Sequence, residues 1–587
     1  MRPLLTVLSS ESSAASDQAL CKFAQFLGLQ TEMVPLHEDL AECPKALFRS
    51  GSSERILALG RTTLSKVFHR DWFANLLEQT PFLFAYDFDP IDCDSQELKW
   101  LTSGALTSVS CLAEGVQKHF TVHANVTHGN FPVSGKSYKL KSGPAAVFST
   151  TAPDSGVETY ISVNGHPHFV SVARGRSLVF LLAGPGLVDI DASVTYGNDS
   201  LRPWYAQLIA LSIGLRAAAG PWCWTSPVTA ATFIVDDPYL KKRYGFINYE
   251  NLIGTLQKEG GAVTIAFIPY NYRRSDAETI DLLLRNSNHF SIAVHGCDHT
   301  GGEFASLIEP WLTSTIGCAL DRMEDHSRQT GMPFDNIMIF PKCCFSTKAL
   351  RALKSSGVAA SVNSSPWPSD NAGNPLTIRD LLQVAVTHFE NFPLFLRRSP
   401  ENVFDFAFDA LFQKPLLAAE HHGFFRNGYE SLTRFIRDLS NIKTNLVWMP
   451  LGQAISSSCL MRQTGEDRFA IQHLTKVLRL PNPTSNDLHL SLEKPEPHES
   501  VKAVVVDGAE VPFDINSGRL EYKAALVAGA ELNVRVLYEH EHRANRKPSW
   551  KYRLSVTARR MMSDIRDNYL SRNERLLLFA EKIMRRV

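Results

Sequence analysis

Three short stretches concentrate the residue types that bind metal ions and move protons. Asp236 and Asp237 stand side by side after the apolar run Ala231 to Val235; His295 and His299 bracket Gly296, Cys297 and Asp298; and Glu420 leads into His421 and His422. Two histidines at i and i+4, one closing an extended run and the other in the loop that follows, can converge on one cation. A carboxylate from a neighbouring strand end then makes a third ligand. Three protein ligands leave a position for water, the catalytic rather than the structural pattern, and a divalent cation lowers the pKa of that water from about 16 toward about 7. Adjacent strand residues point to opposite sides, so of Asp236 and Asp237 one can ligate while the other accepts the proton of the attacking water. The chemistry implied is metal-assisted hydrolysis.

Such residues need a frame that brings distant loops together. Between Ala231 and Met449 the chain alternates short apolar runs with amphipathic stretches: ATFIVD (231–236), AVTIAFIP (262–269), FSIAVH (290–295), NIMIFP (336–341), VAASV (358–362), PLLAAE (415–420) and LVWM (446–449). The runs are continuously apolar, as in parallel strands buried on both faces. Leu252, Ile253 and Leu256 repeat at helical spacing before Gly260, and Ser346 caps a helix whose apolar face is Leu350 and Leu353. These seven runs predict an α/β fold, a distorted (β/α)7 barrel, and barrels of this kind carry their functional groups at the carboxyl ends of their strands. The whole chain divides as an N-terminal α/β domain (1–222), the barrel (223–460), a small β domain (461–540) and a basic helical tail (541–587). The tail holds thirteen Lys or Arg against five Asp or Glu, which suits a solvated helix packed on the barrel or a contact with an anionic membrane or a protein.

The segments TFIVDDPY (232–239) and HGCDH (295–299) resemble the first two motifs of the polysaccharide deacetylases of the NodB-homology type, the family 4 carbohydrate esterases. The resemblance spans roughly Thr225 to Ala454 and implies a distant member with additional domains. It implies Asp236 as catalytic base, Asp237, His295 and His299 as metal ligands, and His421 or His422, from PLLAAEHH, as general acid. The metal implied is a divalent cation, most simply Zn2+, with Co2+, Fe2+ or Ni2+ suiting the same donors. The substrate implied is an N-acetylated amino sugar, as a polymer, oligosaccharide or glycan precursor, from which acetate is released. Two departures stand out: Pro238 replaces the Gly of the usual TFDDG, and FPKCCFS (340–346) replaces an Arg-Pro-Pro-Tyr motif, leaving Lys342 as its one cation. Aromatic and cationic residues after the strand ends, Tyr239, Tyr272, Arg273 and Lys342 among them, are candidates to hold the sugar. The missing arginine motif keeps a second reading open, a noncatalytic glycan-binding or assembly protein with a degenerate barrel. Asp298 and Glu420 are the carboxylates available to a third, a glycoside hydrolase.

Composition narrows the classes further. With 587 residues, 44% hydrophobic and 20% charged, the chain is ordinary globular protein of several domains. Sixty Lys plus Arg against sixty Asp plus Glu give no global attraction to nucleic acid. Ten cysteines without a CxxC pair suit reduced thiols. The apolar part of Met1 to Leu20 is too short for a signal peptide, and the chain reads as cytoplasmic.

Overall fold

The computed structural model describes residues 3–572 apart from short segments, the longest being 37–54 and 540–548. The chain forms two units: residues 1–225 with 375–382 and 461–470, and residues 226–374 with 383–460 and 471–587.

In the first unit parallel and antiparallel strands share one nine-stranded sheet. Gln30–Pro35, Leu4–Ser9, Arg55–Gly60, Phe82–Phe88 and Ser177–Ala183 run parallel. His166–Arg174, Val157–Val163, Lys118–Val122 and Ser137–Leu140 continue it antiparallel. The helix Tyr205–Ala219, buried over most of its length, ends the N-terminal part of this unit.

In the second unit continuous apolar runs become the parallel wall of a barrel. In chain order the strands are β1 (Thr229–Asp236), β2 (Val263–Phe267), β3 (Phe290–His295), β4 (Asp335–Ile339), β5 (Ala360–Asn363), β6 (Leu394–Leu396) and β7 (Leu416–His421). Their spatial order is β6-β5-β4-β3-β2-β1-β7. Just beyond β6, Arg398 N–H donates to the Leu417 carbonyl (2.8 Å) and Ala419 N–H to the Arg398 carbonyl (2.9 Å), closing the wall between β6 and β7. The fold is therefore the (β/α)7 barrel expected from the sequence, with one exchange of strands. LVWM pairs only with the start of β1, through Leu446, Val447 and Trp448, and the wall is completed by β6, whose three residues follow Pro393 and precede two arginines. Three residues flanked by a proline and charges are too few to show a periodicity.

The helices are α1 (Tyr249–Glu259), α2 (Ala277–Leu284), α3 (Glu309–Thr330), α4 (Thr347–Ser355), α5 (Val403–Leu411), α6 (Glu430–Ser440), α7 (Leu451–Ser456) and α8 (Trp550–Asn568). Gly260 ends α1 in the left-handed conformation, and the Ser346 side chain accepts from Ala349 N–H at the start of α4, as the sequence predicts. Ile234, Ala266, Ala293, Ile339, Val362, Phe395 and Leu417 give each strand a place in the barrel core, which Leu451 and Ile455 of α7 join. The barrel interior is thus filled with hydrocarbon, and the polar residues begin only where β1 and β3 end, at Asp236 and His295. Between residues 477 and 538 antiparallel strands follow, among them Leu488–Pro495 paired with Arg519–Leu526 and Val501–Val506 paired with Glu531–Tyr538. Among the described residues no helix is long and apolar enough to cross a membrane.

Candidate active site

β1 ends in Asp236, β3 in His295 and β7 in His421, so strand geometry alone gathers the three sequence stretches at one rim. One oxygen of Asp237, Oδ1, lies 3.1 Å from His299 Nε2 and 3.5 Å from His295 Nε2, and a donor atom from each of the three residues falls within 4.8 Å of the other two. His295 Nδ1 faces the Ile339 carbonyl at 3.0 Å, which places its proton on Nδ1 and turns the Nε2 lone pair toward Asp237. Asp237 Oδ1 is buried without a hydrogen-bond partner. A buried acceptor with no donor costs free energy unless a cation occupies the space in front of it, and the O, N, N donor set is one that Zn2+ and its first-row neighbours take. The residues fit a divalent cation.

Backbone conformation and the states of Asp237 and His299 agree with that assignment. Burial works against a charge on His295, but the pull of Asp236 and Asp237 exceeds it and raises the ring's pKa, an attraction that a cation among the three residues would replace. Asp237 (φ 84°) and His299 (φ 53°) both adopt left-handed conformations that cost non-glycine residues about 1–3 kcal/mol each. Burial opposes a charge on Asp237, but His299 and His295 outweigh it and hold the carboxyl well below its usual range. Burial pushes His299 down to about 4, so its ring is neutral at pH 7, the form that ligates. The loop between the histidines is shaped by Glu303. Its carboxylate accepts from the N–H groups of Cys297 (3.0 Å), Asp298 (3.2 Å), His299 (3.2 Å) and Thr300 (3.4 Å). Gly296 has φ 67°, and a Cβ there would lie 2.2 Å from Glu303 Oε1 and 2.4 Å from Pro341 Cγ. Asp298 accepts from Arg322 Nη1 (2.7 Å) and Tyr552 OH (2.9 Å) and does not line the cavity that Asp237 and His299 share, which gives the glycosidase reading no support.

Asp236 has a different partner. Arg397, the residue after β6, donates to both of its oxygens at 2.6 Å, and the two side chains are 5% and 4% exposed. Burial works against ionising Asp236, yet Arg397 and His295 hold its carboxyl below the usual range. FPKCCFS holds no arginine, and the guanidinium beside Asp236 comes from Phe395-Leu396-Arg397. Sequence reasoning overlooked it because the strand that carries it was overlooked.

His421 sits opposite Asp236 in the β1–β7 register, and its charge acts on both Asp236 and Asp237. His422 turns away into an aromatic niche, stacked on Phe246 (5.7 Å) and edge-on to Tyr244 (5.5 Å), with Nε2 3.6 Å from Asp567 Oδ1. Of the four residues expected to hold the sugar, Lys342 lines a cavity with Asp237 and His299. Tyr239 packs against Tyr244 and lies under Arg274, while Arg273 lies over Tyr272 (4.9 Å); none of these three residues lines that cavity.

The remaining wall comes from α8, which covers the carboxyl ends of the strands. Tyr244 OH donates to Asp567 (2.7 Å), Gly245 N–H to Asn568 Oδ1 (2.9 Å) and Asn568 Nδ2 to Tyr239 OH (3.3 Å). Arg274 pairs with Asp564 at 2.7 Å. The part of the basic tail within the described residues is therefore packed on the barrel; residues 541–548 and 573–587 lie outside them. Arg559, Arg560 and Arg566 of α8 join Lys342, Asp237 and His299 around about 550 Å3. Nothing in the local sequence of α8 marks it as part of a site.

No family model and no curated protein sequence matches the chain. Among solved structures it is similar to the carbohydrate deacetylase Agd3, at 10% identity and a TM-score of 0.46, over 91% of this chain and 98% of that one. It is also similar to a family 4 carbohydrate esterase from Streptomyces lividans in complex with acetate, at 11% identity and a TM-score of 0.24, over 38% and 91% of the two chains. A third is the Bc1960 peptidoglycan N-acetylglucosamine deacetylase, at 12% identity and a TM-score of 0.25, over 39% and 88%.

Proposed function

We propose that this protein is a metal-dependent hydrolase that removes acetyl groups from an N-acetylated amino sugar, in a glycan or a glycan precursor. The observation that carries the reading is the pairing of two carboxylates with opposite fates on one strand end. Asp237 presents an unpartnered oxygen to His295 and His299, while Asp236 is held ionised by Arg397 beside it. One is built as a ligand and the other as a base.

A divalent cation held by Asp237, His295 and His299, most simply Zn2+, supplies an acidified water and polarises the acetamide carbonyl. Asp236 takes the proton of the attacking water on Oδ1 or Oδ2, each of which keeps a second lone pair beside the one Arg397 uses. Arg397 keeps that carboxylate in one orientation and lowers its affinity for protons from bulk solvent at neutral pH. His421, across the strand pair from Asp236, gives its proton to the nitrogen as the C–N bond breaks, so that the amine leaves neutral. Acetate and a free amino sugar result. His422, engaged by Phe246, Tyr244 and Asp567, serves to position the β7 loop and α8.

The test is elemental analysis of purified protein beside a D237A/H295A/H299A variant, followed by acetate release from acetylated amino sugars. About one divalent ion per chain in the wild type, lost in the variant together with acetate release, is the expected result. Specific acetate release that persists in the metal-free variant overturns the mechanism.

A further inference from the structure

The cavity over the metal triad has a charge imbalance that a neutral sugar does not answer. Its ionised lining comprises Lys342, Arg559, Arg560 and Arg566 against the carboxylates of Asp237 and Asp567. Arg566 and Asp567 satisfy each other through a 2.5 Å contact, and Asp237 belongs to the triad. The other three cations make no ion pair with a described carboxylate. Arg560 is 3% exposed, and its Nε is buried without a hydrogen-bond partner. Arg559 Nη1 and Lys342 Nζ each lie 3.7 Å from the point a Cβ on Gly301 would occupy. Like charges drawn to one place, one of them desolvated, are unfavourable unless an anion joins them, and a bound divalent cation adds to the same sign. The volume, about 550 Å3, falls in the range of small-ligand sites, roughly 300–1,000 Å3.

We propose that this cavity selects an acylated amino sugar that also carries an anionic group, a carboxylate or a phosphate, and that Arg559 and Arg560 of α8 together with Lys342 recognise that group. The proposal rests on the deacetylase reading and adds to it a substrate class and the residues that set it. Planar guanidinium groups fork onto two oxygens of a carboxylate or phosphate, and Lys342 adds a point charge from the β4 loop. α8 is fastened to the barrel by Tyr552, Asp564, Asp567 and Asn568, so its arginines are held in place before substrate arrives, which reduces the ordering cost of binding.

The experiment uses the full chain in two arms. In the first, chelator-treated protein is titrated calorimetrically with N-acetylglucosamine, its 6-phosphate and the corresponding uronic acid. In the second, acetate release from the same three compounds is followed after Zn2+ is restored. Expected is binding of at least one anionic sugar more than tenfold tighter than the neutral one, weakened about ten- to hundredfold in R559Q/R560Q, with K342Q reducing it less. Phosphate against uronate tells which anion is meant. R560K, which keeps the buried charge, and the circular dichroism of each variant guard against a simple folding defect. Equal binding and equal release for neutral and anionic sugars overturn this proposal and leave the deacetylase reading intact. Tight binding of an anionic sugar, lost in R559Q/R560Q, with no acetate released by the Zn2+-loaded wild type, supports the recognition site and overturns the deacetylase reading.

Discussion

Replacing Arg397 by Gln separates the base from its support. Both of its hydrogen bonds to Asp236 measure 2.6 Å, and both side chains are nearly excluded from water. Removing one partner of such a pair leaves a buried, uncompensated charge, at a cost of about 3–5 kcal/mol, which corresponds to a fall of roughly 5–10 °C in melting temperature. The pH dependence follows with its sign. In the wild type the folded Asp236 carboxyl titrates below its unfolded value of 3.8, so its ionisation contributes stability that is present above that value and lost as pH falls through the folded one. In R397Q burial is left as the strongest influence and acts in the opposite direction. The carboxyl then titrates higher, and ionising it costs stability as pH rises. The acid limb of the activity profile therefore moves to higher pH. The double variant D236N/R397Q removes both charges and recovers much of the lost stability, although it remains inactive. Thermal melts of the wild type and both variants from pH 4 to 8, with acetate-release profiles of the wild type and R397Q, measure this. An R397Q protein that melts like the wild type and keeps its acid limb refutes the assignment of Asp236 as a base held ionised by Arg397.

Other outcomes follow from the same geometry. D236N keeps its metal by elemental analysis and loses about 10²–10⁴ in turnover, the span of general-base catalysis. G296A, with no room beside Glu303 and Pro341 and a positive φ, loses about 1–3 kcal/mol in denaturant titration. E303Q turns an amide N–H toward the backbone donors of Cys297 to Thr300 and weakens metal binding about 10–100-fold in chelator competition. In the C-terminal strands His473 is buried, its Nδ1 toward the Thr475 carbonyl and its Nε2 accepting from Tyr522 OH. Burial and Lys494 push it down to about 3. The unfolded chain binds this proton first, so stability falls as pH drops from about 6.5 toward 3, by about 1.4 kcal/mol per pH unit, and the slope is shallower in H473Q.

The barrel was legible because its strands are buried on both faces, a pattern written in consecutive residues such as Thr232 to Val235. The polar residues that end β1, β3 and β7 could be read for the same reason: strand ends are where a parallel sheet changes from hydrocarbon to chemistry. Arg397 was illegible because its strand is three residues long and its partner lies 161 positions away. Arg559 and Arg560 were illegible in another way. They stand in a helix whose inward side bears Arg560 and Asp567 while Trp550, Leu554, Met561 and Ile565 are exposed. That inverts the amphipathic rule by which a helix is oriented from its sequence. Only tertiary structure could tell which side meets the metal triad.

The fastening of α8 also has a consequence in time. β7, the last strand of the barrel wall, ends at His421, 146 residues before Asp567, and at synthesis rates of about 5–20 residues per second the wall is complete on the order of ten seconds before Asp567 is made. During that interval the metal-binding rim of the nascent barrel stands open, with Asp237, His295 and His299 accessible to ions and no arginine wall above them. Metal can be taken up through an entrance that α8 later closes. A ribosome-bound intermediate and the finished chain would then differ sharply in how fast they exchange metal with solution.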